Sequence, residues 1–251
     1  MILPGLVSIT FRKLKAEKIV SLTAEAGLTG IEWGGDIHVP HGNIKTAKTV
    51  KQMTLDAGLK VAAYGSYYRF DDQLFFEDVL ETALALGAPL IRIWAGHKGS
   101  AHILENERAQ IVRKSYEIAH MADEVGVKVA YEYHGNTLTD TLESTVSLLE
   151  EVNHPNIYSY WQPLTNHSLK QRLNGIENIG KWLTNIHVYH WDESSRRLPL
   201  AAGEHLWTQY MELIHRLPEQ RYAMIEFVRS DDPDQFLKDA EYLCELLAGF
   251  N

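Results

Sequence analysis

The sequence predicts an α/β protein built as a single (β/α)8 TIM barrel over residues 1–251. Three observations carry that expectation. First, four helix-like segments end in glycine and run into an apolar strand: "AEAGLTGIEW", "LDAGLKVAAY", "LALGAPLIRIW" and "DEVGVKVAYEY". Gly27, Gly58, Gly87 and Gly126 stand where a left-handed helix cap belongs. Second, reading on in this way gives strands near 6–10, 30–33, 60–66, 90–95, 127–134, 157–162, 184–191 and 222–228. Amphipathic segments such as "ENERAQIVRKSYEIAHMADEV" lie between them, apolar at i, i+3 and i+4. Third, no Ser/Pro-rich linker or low-complexity tract interrupts the alternation. A doubly wound open sheet is the competitor, but it wants a Gly-rich phosphate turn after an early strand, and "SITFRKL" has none.

Composition narrows the partners. With 45% hydrophobic residues the chain can fill a barrel core. Its 24 Lys+Arg against 33 Asp+Glu give a formal charge of −9, which argues against a broad nucleic-acid or anionic-membrane face. A small anionic substrate held by one or two arginines stays open. The single cysteine, Cys244, precludes an internal disulfide and reads as a small apolar residue of the last helix. The opening "MILPGLVSITFRKLK" lacks a basic segment ahead of its apolar run, and no run of 18 apolar residues occurs, so a cytoplasmic location is expected. Homo-oligomerisation is left open.

A barrel places chemistry at the C-terminal ends of its strands. His38, His41, His97, His102, His134, His167, His187 and His190 all fall at predicted strand ends or in the loops that follow. Among the opposite turns only His154 appears.

Glu132 lies late in the fifth apolar strand, where an unpaired carboxylate would be costly. Gln162, His187 and Glu226 hold corresponding positions late in the sixth, seventh and eighth. Alternation puts Ala130, Glu132 and His134 on one face and His187, Tyr189 and Trp191 on another. If those faces point inward, two carboxylates, an amide oxygen and an imidazole converge. Such a donor set suits a divalent cation, Mn²⁺ or Mg²⁺ first, with Co²⁺ or Zn²⁺ as alternatives. The ion would compensate the carboxylates. The other reading makes each an isolated buried polar group with a local hydrogen bond. His187 and His190 are three apart and point to opposite sides of a strand, so His187 is the expected ligand.

Other polar residues are candidates for substrate contact. Arg92 and Trp94 share a strand face; Arg92 could meet a phosphate, a carboxylate or Glu32, and Trp94 could equally be wall or core. Tyr64 and Tyr67 stand near the end of the third strand. His38 and His41 lie on a long loop over the mouth. Arg196 and Arg197 follow the seventh strand, one expected to enter the site and the other to be solvated.

Taken together these motifs resemble the xylose-isomerase-like superfamily of sugar isomerases and epimerases, over nearly the whole chain. "EAGLTGIEWGG" is similar to its second-strand signature, with Glu32 at the strand end. "KVAYEYH" resembles the fifth-strand metal glutamate, "IHVYHWD" the strand bearing the metal histidine, and "MIEF" the last metal glutamate. "RRLPLAAGEHLW" is similar to the segment in which an arginine meets substrate, here Arg196. The sequence departs at the sixth strand, where the family usually carries aspartate and this chain has Gln162. Its carbonyl can still bind a cation, with one negative charge fewer.

The resemblance implies a metal-dependent isomerase or epimerase acting on a small carbohydrate. A metal-stabilised enediolate would form, with Glu132 and Glu226 exchanging protons on opposite sides of the substrate carbons. A dehydratase of the inosose type on the same site is the alternative. So is a non-catalytic sugar-binding protein. A DNA-repair endonuclease of this fold would need more zinc ligands and a basic face.

Overall fold

In the computed structural model, which describes residues 1–71 and 74–250, strand and helix alternate along the chain. The order is β1 (Ile2–Val7), α1 (Ala16–Glu25), β2 (Gly30–Gly34), α2 (Ile44–Asp56), β3 (Lys60–Gly65), α3 (Phe76–Leu86), β4 (Leu90–Ile93) and α4 (Glu105–Asp123). It continues with β5 (Lys128–Tyr131), α5 (Leu142–Val152), β6 (Ile157–Trp161), α6 (Leu169–Ile179), β7 (Leu183–Val188), α7 (Glu204–Ile214), β8 (Arg221–Ile225) and α8 (Pro233–Ala248). All neighbours are parallel, and the sheet closes by pairing β1 with β8, from Ile2↔Arg221 to Leu6↔Ile225. This is the single (β/α)8 barrel that the alternation predicts.

Local chemistry sets the helix ends. Asn43 accepts from the Thr46 amide and Thr141 from the Ser144 amide, satisfying donors that the helices leave free. Asp232 caps α8, with Pro233 pre-set for its first turn. Gly27, Gly58, Gly87 and Gly126 adopt φ of 69°, 77°, 74° and 72°, the left-handed turn expected of each. Cys244 is half-buried and packs against the core. No helix among the described residues is long and apolar enough to cross a membrane.

Apolar residues form two layers. The larger packs sheet against helices, with Trp33, Trp161 and Trp207 among its largest members. The smaller cluster includes Val7, Ala62, Ala63, Leu90, Ala130, Tyr160 and Met224. Ala130, Tyr160 and Met224 each precede a site residue by two positions. By the period of a strand, Glu132, Gln162 and Glu226 therefore continue that inner face upward.

The first strand differs from expectation: it runs from Ile2 to Val7, not 6–10, and Ser8–Phe11 forms a buried 3₁₀ turn. Pro4 and Gly5 look like turn residues, yet both are tolerated here. The Pro4 carbonyl accepts from the Thr29 amide at 2.9 Å. A Cβ at Gly5 would lie 2.9 Å from Met224 Cγ and 3.0 Å from the Gly30 carbonyl, so the close approach of β1 to its neighbours needs glycine. Strands five, seven and eight also end earlier than predicted, at Tyr131, Val188 and Ile225. Glu132 and Glu226 stand one residue beyond, still tied to the neighbouring strands through amides that donate to Ile93 and Val188.

Candidate metal centre and cavity

A cavity of about 810 Å³ opens among the loops at the C-terminal ends of the strands. Glu132 and Glu226 form part of its floor and His187 lies just beneath them; one ligand atom from each lies within 4.8 Å of the others, and all three residues are buried. His187 Nδ1 is 3.1 Å from Glu226 Oε2 and 3.6 Å from Glu132 Oε1. Gln162 lines the same wall. Its Nε2 donates to the Tyr133 carbonyl at 2.8 Å, which fixes the amide orientation. Its Oε1 is buried and meets no donor among the described residues.

Two oxygens of Glu132 have different surroundings. Oε2 accepts from Arg92 Nη1 and, at 2.5 Å, from Trp94 Nε1. Oε1 faces His187 and Gln162. Burial alone would raise the Glu132 carboxyl, but Arg92 and His187 override it and hold it well below the ordinary carboxylate range. Burial would likewise lower His187, yet Glu226, Glu132 and Glu32 raise it well above its ordinary value. The acids around the imidazole favour its protonated form. A divalent ion would displace that proton.

The donor set fits a divalent ion. Two carboxylates and an imidazole nitrogen converge, and neither nitrogen of His187 makes a well-directed hydrogen bond; Gln162 borders them, with Nε2 3.4 Å from Glu132 Oε1 and its own Oε1 orphaned. Oxygen donors with one nitrogen suit hard or borderline cations.

Above the floor the walls are aromatic: Tyr67, Trp94, Tyr189, Trp191 and Phe227 line the cavity, with Arg12 and Arg197 beside them. Tyr67 and Phe227 hold left-handed backbones, φ 58° and 64°, uncommon for bulky residues and a local strain at the cavity wall. Trp94 stacks on His134, centroids 4.1 Å apart. His134 Nδ1 donates to the Gly135 carbonyl at 2.6 Å, which leaves Nε2 as the free ring nitrogen. Arg197 pairs with Asp231 and lies 4.5 Å over the Phe227 ring. Arg12 pairs with Asp36.

The other residues expected at substrate are placed elsewhere. Glu32 and Arg92 are fully buried outside the cavity lining, joined by a 2.7 Å contact. His38 is buried behind the wall, bonded to Ser8 Oγ at 3.0 Å and the Leu14 carbonyl at 3.2 Å. Arg196 is 78% exposed and pairs with Asp192, while its neighbour Arg197 lines the cavity; the hairpin that returns Arg197 onto Trp191 turns the adjacent side chain outward. Tyr64 is in the core, its hydroxyl donating to the Val39 carbonyl, whereas Tyr67 reaches the cavity. His190 sits against Gly203, away from the triad.

Several lining residues carried no signal in the sequence. Arg12, Asn136 and Asp140 stand on loops with no motif around them, and Phe227 closes the "MIEF" motif without a lining role of its own being legible. For Asn136 and Phe227 the cue would have been a left-handed backbone, which only asparagine advertises.

A closed barrel with acids and a histidine gathered at its C-terminal mouth defines the class of fold, and the family match agrees. The chain belongs to the xylose isomerase-like TIM-barrel family, whose model matches residues 20–246. It is 32% identical over 166 residues to the 3-dehydroshikimate dehydratase of Bacillus anthracis, a match that covers 61% of this chain and 59% of that protein's length. Among solved structures it is similar to a probable 3-DHS dehydratase from Bacillus anthracis, with TM-score 0.82 and 22% identity over 97% of this chain and 99% of that one. It is also similar to the D-psicose 3-epimerase of Clostridium cellulolyticum H10, with TM-score 0.74 and 16% identity over 99% of each chain. Both structural likenesses are likenesses of fold.

Proposed function

We propose that the protein is a divalent-metal-dependent lyase that removes water from a cyclic hydroxy-keto acid of the 3-dehydroshikimate kind. The observation that carries this reading is the make-up of the cavity: flat aromatic walls and two arginines above a metal-capable triad. Aromatic faces suit a planar ring product better than an open-chain ketose. Arginine suits a ring carboxylate. The 32% identical dehydratase supports the same choice.

Glu132, Gln162, His187 and Glu226 would hold the ion, which when bound supplies positive charge to polarise a substrate ketone. His134 Nε2, the nitrogen left free by the Gly135 contact, accepts the proton from the carbon next to the ketone. The hydroxyl one carbon further leaves, and His134 returns the proton to it as water forms. Trp94 holds the imidazole by stacking. Arg197 and Arg12 bind the carboxylate, and the aromatic walls exclude water from the ring.

The isomerase or epimerase reading needs Glu132 as a proton-accepting base. Arg92 and Trp94 occupy one of its oxygens, and its carboxyl is held well below the ordinary range. That weakens Glu132 as a base and favours His134. The test is to mix the protein with 3-dehydroshikimate and Mn²⁺ or Mg²⁺ and follow the ultraviolet absorbance of a catechol acid. Its appearance is expected. No aromatic product, together with solvent-deuterium exchange into a ketohexose, would transfer the reading to an epimerase.

A further inference from the structure

Behind the triad lies a buried ion pair that touches no cavity space. Arg92 is 1% exposed and Glu32 0%. Arg92 Nε donates to Glu32 Oε1 at 2.7 Å, while Nη1 of the same guanidinium donates to Glu132 Oε2. Glu32 Oε1 in turn stands 3.6 Å from His187 Nε2. One guanidinium therefore reaches two of the three triad members, one directly and one through Glu32.

The backbone makes room for this arrangement. A Cβ at Gly65 would lie 2.6 Å from Arg92 Nη2 and 2.8 Å from Glu32 Oε1. Glycine at that place on β3 lets the pair sit against the strand. A buried charged pair next to a metal-capable triad, with space kept for it by a side chain's absence, is costly to build unless it orders something.

What it orders follows from the chemistry of the imidazole. A lone pair on Nε2 directed at the Glu32 carboxylate would be repelled, whereas an N–H directed at it is attracted. The proton is thereby kept on Nε2, and Nδ1 is the nitrogen left to face Glu226 and Glu132 Oε1. Arg92 does the equivalent for Glu132: it occupies Oε2 and leaves Oε1 toward the ion position.

We propose that Glu32 and Arg92 are positioning residues of the metal centre, a brace that selects His187 Nδ1 and Glu132 Oε1 as the ion-facing atoms. The proposal rests on the reading of the triad as a metal centre. It assigns Glu32 and Arg92 no contact with substrate.

The experiment compares wild type with Glu32→Gln, which removes the charge and keeps the shape, and Gly65→Ala, which crowds the pair without deleting it. Mn²⁺ affinity is measured by calorimetry and folding by circular dichroism. Glu32→Gln should bind Mn²⁺ about 10–100-fold more weakly, the usual loss when a partner behind a ligand is removed. Gly65→Ala should shift affinity the same way by less. In the Zn²⁺-loaded wild type, ¹⁵N NMR should find His187 protonated on Nε2. Wild-type Mn²⁺ affinity in folded Glu32→Gln, or the proton on Nδ1, overturns the proposal. If wild type binds neither Mn²⁺ nor Zn²⁺, the metal reading falls by itself. The brace is then judged in the ion-free protein, where the His187 Nε2–H resonance should move in Glu32→Gln. An unmoved resonance overturns it.

Discussion

Two sets of arginine–carboxylate ion pairs stand in opposite surroundings. Beneath the floor, Arg92 meets Glu32 and Glu132 with every partner buried. At the rim, Arg196 meets Asp192 and Arg197 meets Asp231 in contact with solvent. Water screens the rim pairs and can replace either partner. No such replacement is available to the floor. The difference teaches that charge at this site is a packing element below and an adjustable recognition element above. Four substitutions or titrations would break or sharpen that contrast.

The largest effect belongs to Arg92→Met. It removes the guanidinium from between two buried carboxylates, a loss of about 3–5 kcal/mol by analogy with other broken buried pairs. Urea denaturation measures it. A loss no greater than that of a rim variant would erase the contrast.

Gln162→Glu comes next. It keeps the side-chain length and puts a negative charge where Gln162 Oε1 now lies orphaned. Mn²⁺ should bind more tightly, because a carboxylate oxygen outbids an amide oxygen for a hard cation. The Tyr133 carbonyl loses its donor in the exchange, so stability without ion should fall. Calorimetry and a thermal melt read the two parts separately. Unchanged or weaker affinity would remove Gln162 from the ligand set.

The loop after β2 supplies a pH test away from the triad. Burial, the leading cause, lowers both His38 and His41 from the ordinary histidine value. The unfolded chain then takes up protons at a pH where the folded one does not, so stability rises with pH through that window. Their contribution is complete above the unfolded value of about 6.5 and is lost as pH falls through the lower folded values. Urea midpoints should drop between about pH 7 and pH 5, and His38→Gln with His41→Gln should flatten that part of the curve. An acid slope unchanged in the double variant would mean other groups carry it.

Much of this was legible in the sequence, for identifiable reasons. The barrel was readable because glycine caps and strand runs recur, and both are local. The gathering of Glu132, His187 and Glu226 at one end of the barrel was readable because a strand's two-residue period is local too, although Glu132, Gln162 and Glu226 stand one residue beyond their strands. Loop placement was not. Nothing in "HWDESSRRLPL" says which arginine the hairpin turns inward; the return of the chain from Trp191 to Arg197 decides it. Nor could the sequence tell that Arg92 serves Glu132 and Glu32 together, since residues 32, 92 and 132 meet only once the barrel has closed. The first strand starts earlier than expected, at Ile2, because close pairing with its neighbours overrides the local turn preference of Pro4 and Gly5.

The smallest effects, and the sharpest discrimination, come from the neighbouring rim arginines. Arg197 lies over Phe227 on the cavity wall and is about one-third exposed; Arg196 is mostly solvated and its pair spans one turn of loop. Neither substitution to alanine should shift the melting temperature appreciably, because water takes over the lost contact. They should part company in binding. Arg197→Ala removes a guanidinium from the wall that would meet a substrate carboxylate, so KM for an acidic substrate should rise by about tenfold, the equivalent of one charge-assisted hydrogen bond. Adding salt should narrow the difference between wild type and Arg197→Ala, since the contact is screened at the rim. Arg196→Ala should leave KM and its salt dependence as they are. The same KM rise in both variants would place the recognising charge in the hairpin as a whole. A rise in Arg196→Ala alone would mean that the hairpin turns over when substrate arrives.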